Sequence, residues 1–231
     1  MIPNGTSKKT VLIIAAHPDD EALGCGATIS FLASSGHNVH GLILSQGKAS
    51  RDGKSVEKEV ETLSGEIEKS SKVLGFKDMS VLNFADNRFD SVDMLDIVKE
   101  IEIIKDKVQP DIVFTHHAGD LNIDHRIAHI ATLTAFRPIS GEKNTSIYSY
   151  EVPSSTEWNS YSAESVFIPN TFVDVGSTIE KKVEAMGCYQ SELREYPHPR
   201  SLDYLKVLAS HRGVQSGKQF AEAFCLIRAT V

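Results

Sequence analysis

The sequence contains few cysteines, and their arrangement indicates no pairing. The 231 residues include three cysteines, Cys25, Cys188 and Cys225, which are widely spaced and form no C-x-x-C motif. An odd number of widely spaced cysteines argues against both a disulfide framework and a cysteine-ligated zinc site. This usage fits a reducing compartment, so we expect a cytoplasmic protein.

The chain also lacks a long hydrophobic run and an excess of positive charge. The apolar run in "SKKTVLIIAA" is too short for a signal-peptide core or a membrane span. Lys and Arg number 24 against 31 Asp and Glu, which gives a formal net charge of −7. Binders of nucleic acid or anionic membranes need basic surfaces, so we expect neither partner. A homo-oligomer is compatible with the sequence, but no segment indicates an interface between copies.

The first 135 residues do contain an alternation of two patterns. Helical spacing of apolar residues covers 20–35, 55–74 and 92–107. Such an alternation predicts an α/β fold, namely a Rossmann-like, doubly wound, mostly parallel sheet with helices on both faces. The predicted strands are the short apolar runs "TVLIIAA" (10–16), "NVHGLILS" (38–45), "SVLNFA" (80–85) and "DIVFTH" (111–116).

The rest of the chain is less regular. Residues 137–170 resemble a long loop region with one strand at "SIYSYEV". A strand at "TFVDV" (171–175) and a helix from Ser177 to about Gln190 follow, and "FAEAFCLIRA" (220–229) predicts a closing strand with helix as the alternative. No repeat or linker is visible. We therefore expect a single domain over 1–231, with core βαβ units in 1–136 and the pocket completed by 137–231.

A polar cluster follows each of the four early strands. These clusters are "HPDDE", "QGKASRDG", "DNRFD" and "HHAGDLNIDH". Because ligands of open parallel sheets bind beyond the carboxyl ends of the strands, we expect the four clusters to meet at one edge and form a pocket.

The first cluster suits a divalent metal. The H-x-x-D spacing of His17 and Asp20 at a strand-to-helix turn can aim an imidazole and a carboxylate at one point, and both groups suit zinc. A cation would also offset the repulsion among Asp19, Asp20 and Glu21. The alternative is that these acids lie in the first turn of a helix, where acidic residues are common, and bind no metal. The His-Pro pair and the buried strand that precede them make this alternative less favoured than a metal site. Asp19, adjacent to a ligand, is the natural base for metal-assisted hydrolysis.

The last cluster supplies further candidate ligands. The stretch "THHAGDLNIDHRIAH" (115–129) holds four histidines and two aspartates, and one histidine could complete a three-ligand site with a position left for water. His125 lies on a helix predicted to begin near Asn122. His129 follows one turn later, but the glutamate of a zincin-type pair is absent, so we assign His129 to packing or to support of a ligand. His116 and His117 are either pocket groups or structural.

These residues resemble the LmbE-like family, also called the PIG-L family, of metal-dependent N-acetylglucosaminyl-phosphatidylinositol de-N-acetylase-like proteins. The family's first motif is A-H-P-D-D-E followed by small residues, here Ala16 to Glu21, and its second ends in D-H, here Asp124-His125. The segments "YQSE" (189–192) and "RGVQSGKQFAEAF" (212–224) are also similar to family segments. The resemblance spans essentially the whole chain.

The resemblance implies a zinc enzyme. It implies Zn²⁺, or another divalent metal, bound by His17, Asp20 and His125, with Asp19 as general base. The implied reaction is hydrolysis of the N-acetyl group of an N-acetylglucosamine-type amino sugar, such as a sugar nucleotide, a glucosaminide or an oligosaccharide, with release of acetate. The candidate substrate-contacting residues are Arg51, Asp86, His116, Asn122 and Asp124.

One position departs from the family pattern. Many members have H-x-D-H, whose first histidine is thought to protonate the leaving amine or stabilise the oxyanion. Here that position is Asn122, which donates a hydrogen bond but is no acid. Either His116, His117 or a C-terminal residue replaces it, or Asp19 returns its own proton to the amine.

The same residues allow three alternatives to this function. The first is a related metal-dependent amidase acting on another acylated amine or a thiol conjugate, and the second is an inactive metal-binding member. A two-acid glycosidase is disfavoured, because Asp19 and Asp20 are adjacent whereas such enzymes hold their carboxyl groups about 5 Å or more apart.

Overall fold

The alternating segments form a seven-stranded sheet between two layers of helices. The computed structural model describes residues 7–47 and 55–229. Its strands are β1 (Thr10–Ala15), β2 (Asn38–Ser45), β3 (Asp78–Phe84), β4 (Ile112–His116), β5 (Ser146–Tyr150), β6 (Thr171–Asp174) and β7 (Ala221–Arg228). Its helices are α1 (Asp20–Ser34), α2 (Ser55–Leu74), α3 (Met94–Val108), α4 (Ile123–Ala135), α5 (Ile179–Met186) and α6 (Leu202–Ser216).

The strand order places a switch point at β1. The order across the sheet is β3-β2-β1-β4-β5-β7-β6. Neighbours from β3 to β5 are parallel, and β7 runs antiparallel to both β5 and β6. The chain leaves β1 toward β2 on one side and returns to β4 on the other, and ligands of such sheets bind where the order reverses. This topology confirms the predicted doubly wound, mostly parallel α/β fold.

Strand β1 is buried on both faces, as its unbroken apolar run predicts. Successive side chains of a strand point to opposite faces of the sheet. Val11 and Ile13 accordingly pack with residues of α1, α2 and α5, whereas Leu12 and Ile14 pack with residues of α3 and α4. Helices therefore cover both faces of the sheet at β1. No helix within 7–47 and 55–229 is long and apolar enough to cross a membrane.

In the second half of the chain, the secondary structure differs from the prediction in one element and in the ends of another. Strands β5 and β6 form as expected, and β7 shows that the last segment is a strand rather than a helix. The helix expected from Ser177 is shorter, since α5 begins at Ile179 with Thr178 at its N-cap. Helix α6 was not predicted, because its apolar residues form no single stripe, and Val207 and Val214 face solvent.

A buried ion pair holds the helix that carries the acidic motif. Helix α1 is broken at Cys25. At the break, the carboxylate of Glu222 on β7 accepts hydrogen bonds from the backbone N–H groups of Ala27 (3.2 Å) and Thr28 (2.7 Å). The ammonium group of Lys182 on α5 lies 2.6 Å from the same carboxylate, and both side chains are almost completely buried. The pair therefore ties α1 to α5 and β7.

Removing the carboxylate should destabilise the protein strongly. Glu222→Ala leaves the Lys182 charge buried without a partner, so we expect the free energy of unfolding to fall by about 3–5 kcal/mol. Urea denaturation measures the change. The control is Glu180→Ala, whose exposed pair with Lys206 should contribute less than about 1 kcal/mol. If both variants were equally stable, the buried pair would not anchor α1.

Candidate metal centre

Three of the predicted polar clusters meet at the carboxyl edge of the sheet. His17 and Asp20 follow β1, Asp86 follows β3, and His125 lies in the first turn of α4 after β4. The cluster after β2 falls largely outside the described residues, and Arg51 is among those not described. Strand order alone therefore predicted which of the described clusters come together.

Three possible ligand atoms converge on one point. His17 Nδ1 lies 3.4 Å from Asp20 Oδ2 and 3.3 Å from His125 Nε2. Asp20 Oδ2 and His125 Nε2 are 3.3 Å apart. The other oxygen of Asp20 is buried and has no hydrogen-bond partner among the described residues. Imidazole nitrogens and a carboxylate are ligands that divalent transition metals accept.

Carboxylates lie next to the ring nitrogens of His17 and His125 that point away from the three converging atoms. His17 Nε2 lies 3.0 Å from Asp124 Oδ2 and 3.2 Å from Asp86 Oδ1. His125 Nδ1 lies 3.2 Å from Asp120 Oδ1, close but not aligned as a hydrogen bond. A carboxylate facing one ring nitrogen favours a proton there and leaves the lone pair of the other nitrogen for a metal. The residues therefore fit a divalent metal held by His17, Asp20 and His125.

A second group of possible ligands shares His17. It consists of His17, Asp86 and Asp124, and it uses the other ring nitrogen of the histidine. Asp124 is completely buried, and its Oδ1 accepts a hydrogen bond from the N–H of Phe89 at 3.0 Å. We assign Asp124 to orienting His17, because a carboxylate held by a backbone N–H on one oxygen and facing an imidazole on the other is already satisfied.

The surrounding carboxylates also stabilise positive charge on the two rings. Burial lowers the pKa of His17, but Asp124 and Asp20 outweigh it and raise this pKa to about 10. Burial likewise opposes protonation of His125, and Asp20 and Asp120 raise the pKa of His125 to about 9. These raised pKa values favour the protonated form of each ring at pH 7 when no metal is bound, and His17 Nδ1 and His125 Nε2 lie 3.3 Å apart. A divalent cation bound at this point would take the place of these protons.

Asp19 lies beside the cluster in a strained conformation. Its φ is 96°, in the left-handed region, which costs a residue other than glycine about 1–3 kcal/mol. Its N–H donates to Glu21 Oε2 at 3.2 Å, and Glu21 Oε1 accepts a hydrogen bond from the Tyr189 hydroxyl at 2.6 Å. Tyr189, from the "YQSE" segment, thus holds Glu21, and Glu21 holds the backbone of Asp19. Strain that neighbours maintain in this way is typical of functional positions.

An arginine from the C-terminal third faces the same carboxylate. Arg200 Nη1 lies 3.2 Å from Asp19 Oδ2 and 2.9 Å from Glu192 Oε2. Burial raises the pKa of Asp19 well above its usual range, and the Arg200 guanidinium opposes this shift. A buried carboxylate with a raised pKa beside a metal site is suited to accept a proton. No local sequence pattern marks Arg200, and sequence reasoning missed it.

Two of the candidate substrate-contacting residues have structural positions. His116 is fully buried, and its Nε2 accepts a hydrogen bond from the N–H of Ala16 at 2.8 Å. Burial lowers the pKa of His116, so the ring is neutral at pH 7. Asn122 caps helix α4, since its Oδ1 accepts from the N–H of Asp124 at 2.8 Å, and its Nδ2 donates to Asn87 at 3.2 Å. Both side chains therefore make hydrogen bonds within the protein, and their contact with a substrate stays a prediction.

The last cluster contains one supporting residue that sequence reasoning missed. Asp120 is fully buried, and besides facing His125 it accepts hydrogen bonds from the hydroxyls of Ser155 and Thr156. A carboxylate behind a ligating histidine fixes the orientation of the ring. His129, by contrast, bonds the carbonyl oxygen of His116 through Nδ1 at 2.8 Å.

The candidate metal centre lies at the carboxyl edge of a doubly wound sheet beside its switch point, which is where α/β enzymes commonly bind their ligands. The chain belongs to the PIG-L family, because the sequence profile of that family, described as GlcNAc-PI de-N-acetylase, matches residues 12–136. The matched segment includes both the Ala16–Glu21 motif and Asp124-His125.

Known relatives extend the similarity beyond the matched segment. The chain is 30% identical over 222 residues to diacetylchitobiose deacetylase from Thermococcus kodakarensis, covering 93% of this chain and 81% of that protein. It is 32% identical over 180 residues to the uncharacterized deacetylase YaiS of Escherichia coli, covering 76% and 86%. The solved N,N'-diacetylchitobiose deacetylase from Pyrococcus horikoshii has a TM-score of 0.77 at 22% identity, covering 95% of this chain and 84% of that one, which shows the shared fold.

The two histidines of α4 should differ in their effect on metal binding. His125→Ala removes a proposed ligand, so we expect a loss of Zn²⁺ affinity larger than the about 10- to 100-fold that follows removal of a supporting partner. His129→Ala is the matched control, because it removes a buried histidine one turn further along the same helix. Isothermal titration of chelator-treated protein measures both affinities. The opposite ranking would favour an i, i+4 histidine pair.

Metal binding should also release protons. His17 and His125, with pKa values of about 10 and about 9, are protonated at pH 7. Ligating imidazoles must be neutral, so we expect about two protons to leave for each ion bound. Affinity should therefore rise as the pH approaches these values. Titrations at pH 7 in buffers of different ionisation enthalpy count the protons, and a count near zero would contradict charged imidazoles in the metal-free protein.

Proposed function

We propose that this chain is a zinc-dependent hydrolase that removes the N-acetyl group from an N-acetylglucosamine-type amino sugar and releases acetate. The observation that carries the proposal is the convergence of His17, Asp20 and His125 beside the buried Asp19. Membership of a family described as de-N-acetylases, together with 30% identity to a diacetylchitobiose deacetylase, supports an acylated amino sugar as substrate. Two imidazoles and one carboxylate favour zinc, because catalytic zinc commonly has three such ligands.

Asp19 is the proposed base. Zinc held by His17, Asp20 and His125 would polarise the acyl carbonyl and lower the pKa of water to about 7. Asp19 takes the proton of the attacking water, and its raised pKa makes it a better acceptor than an ordinary aspartate. Arg200, 3.2 Å from Asp19 Oδ2, holds the carboxylate in one orientation during this transfer.

Asp19 is also proposed to return the proton to the leaving amine. Asn122 has no acidic proton and serves as a helix cap, and the buried Nε2 of His116 already accepts from the N–H of Ala16. As the water oxygen adds to the acyl carbon, its proton moves to Asp19. As the C–N bond breaks, Asp19 gives that proton to the nitrogen. The immediate products are acetic acid and the free amine, and transfer of the remaining water proton from the acid to the amine gives acetate and the protonated amine, so protons and charges balance.

Of the candidate substrate-contacting residues that the structure describes, Asp86 is the one that we propose to contact the sugar. Its side chain is 20% exposed at the edge of the site, whereas Asp124 and His116 are fully buried. A carboxylate there can accept hydrogen bonds from sugar hydroxyls. Arg51 keeps the role that the family resemblance implies, as a proposal that the described residues do not address.

An acetate-release assay tests the function. The substrates are N-acetylglucosamine, N,N'-diacetylchitobiose and an acetylated amine that carries no sugar, each with and without chelator. Asp19→Asn should still bind Zn²⁺ but lose about 10²- to 10⁴-fold in turnover, the usual contribution of a general base. Asp203→Asn is the matched control, because Asp203 is exposed on α6.

Each contrary result points to a specific alternative. Near-full turnover by Asp19→Asn would exclude Asp19 as the base, and activity that persists in chelator would contradict a metal-dependent reaction. Release of acetate from the simple amine alone would favour a related amidase. Metal binding without any acetate release would favour an inactive family member.

A further inference from the structure

Asn122, the residue that departs from the family pattern, uses both ends of its side-chain amide. Its Oδ1 accepts a hydrogen bond from the N–H of Asp124 at 2.8 Å, and its Nδ2 donates to Asn87 Oδ1 at 3.2 Å. The first bond caps α4, which serine or aspartate would do equally well. The second bond leads out of the helix to the turn that follows β3. Asn122 therefore makes one contact that the role of helix cap does not explain.

The contact continues from Asn87 to a carboxylate of the site. Asn87 Nδ2 donates to Asp86 Oδ1 at 3.1 Å. Three hydrogen bonds in series thus lead from the N–H of Asp124 through two amides to Asp86. Each amide accepts at its oxygen and donates at its nitrogen, so the bonds are aligned in one direction and polarise one another. We call these bonds the amide series.

The turn that carries Asn87 is held to the start of α4 at two points. One is the bond from Asn122, and the other is the N–H of Phe89, which donates to Asp124 Oδ1 at 3.0 Å. Asn87 has a φ of 54°, in the left-handed region that asparagine adopts more readily than most residues. The backbone of the turn therefore suits an asparagine, and the first turn of α4 fixes where the turn lies.

The amide series gives Asp86 a hold that His17 alone does not give. His17 Nε2 lies 3.2 Å from Asp86 Oδ1 and 3.0 Å from Asp124 Oδ2. A single N–H cannot be aligned with both carboxylates at once. Asn87 supplies a second donor to Asp86 Oδ1, and this donor does not depend on the protonation of a proposed metal ligand. The orientation of the Asp86 carboxylate is therefore set partly by Asn122, through Asn87.

We propose that Asn122, acting through Asn87, is a positioning residue that holds Asp86 in the orientation that binds the hydroxyls of the substrate. In place of an acid, this position then supplies a contact with the substrate-binding turn. The inference rests on the proposed function, in which Asp86 contacts the sugar. A carboxylate already held in its binding orientation loses less freedom when the sugar binds, so the amide series increases affinity.

Asn122→Ser separates positioning from capping. Serine caps helices about as well as asparagine, but it has no amide nitrogen to reach Asn87. Zinc-loaded Asp19→Asn protein is titrated with N,N'-diacetylchitobiose in a calorimeter, with and without Asn122→Ser. We expect the serine to weaken sugar binding about 2- to 10-fold, the range for losing the preorganisation of one side chain. The unfolding temperature and the Zn²⁺ affinity should stay close to those of the parent protein. In enzyme that retains Asp19, the change should fall in KM rather than in kcat.

A second variant breaks the same series at its middle. Asn87→Gly keeps the positive φ, which glycine adopts freely, and removes the amide. It should weaken sugar binding by a similar factor, and combining it with Asn122→Ser should add little, because both changes break one series. Gln109→Gly is the matched control. Gln109 is also an exposed amide residue with a positive φ (49°), but it follows the end of α3 and lies outside the series, so sugar binding should not change.

The outcomes keep the two proposals separate. Because Asn122 acts through Asp86, Asn122→Ser should have no further effect on sugar binding in an Asp86→Ala background. Parental affinity in Asn122→Ser, or an undiminished effect in that background, would overturn the positioning role even if the wild-type enzyme releases acetate. Weaker binding in Asn122→Ser and Asn87→Gly, without acetate release by the wild-type protein, would support the positioning role and contradict the deacetylase function. No sugar binding by the parent protein would overturn both.

Discussion

The crowding of buried carboxylates at the end of β1 is the constraint on which the rest of the site depends. Asp19, Asp20 and Glu21 are consecutive and almost completely buried. Buried charges of one sign destabilise a protein unless partners compensate them. The compensation comes from other parts of the chain: imidazoles face Asp20, the guanidinium of Arg200 faces Asp19, and the hydroxyl of Tyr189 donates to Glu21. A divalent cation between His17, Asp20 and His125 would complete it.

This requirement explains why the irregular second half of the chain is part of the site. Ser155 and Thr156 hold Asp120 behind His125, and Arg200 reaches Asp19 from the segment before α6. The Lys182–Glu222 pair secures the broken helix that begins at the acidic motif. The βαβ core therefore positions the ligands, whereas the later segments neutralise and orient them. Strain at Asp19 persists because these contacts act on it from several directions.

The parts that sequence could predict are those encoded by local patterns. Short runs rich in Val, Ile, Leu and Phe predicted β1 to β4, and the polar residues at their carboxyl ends predicted which side chains converge. Helix α6 was missed because its apolar residues lie on more than one face. Asp120 and Arg200 were missed for a different reason: their roles come from contacts with Ser155 and Asp19, which are distant in sequence, and no spacing rule connects such pairs.

The asparagine at position 122 has a physical consequence for the proposed mechanism. Asparagine is among the best N-cap residues, and replacing such a cap by alanine costs about 0.5–2 kcal/mol. Its side chain bonds the N–H of Asp124, so it stabilises the start of the helix that carries His125 instead of supplying an acid. In the proposed mechanism one carboxylate then both accepts and returns the proton, which calls for a pKa between those of water and of an ordinary carboxyl group. Burial raises the pKa of Asp19 and Arg200 restrains that rise, so the balance of these two opposing effects sets the capacity of Asp19 for both steps.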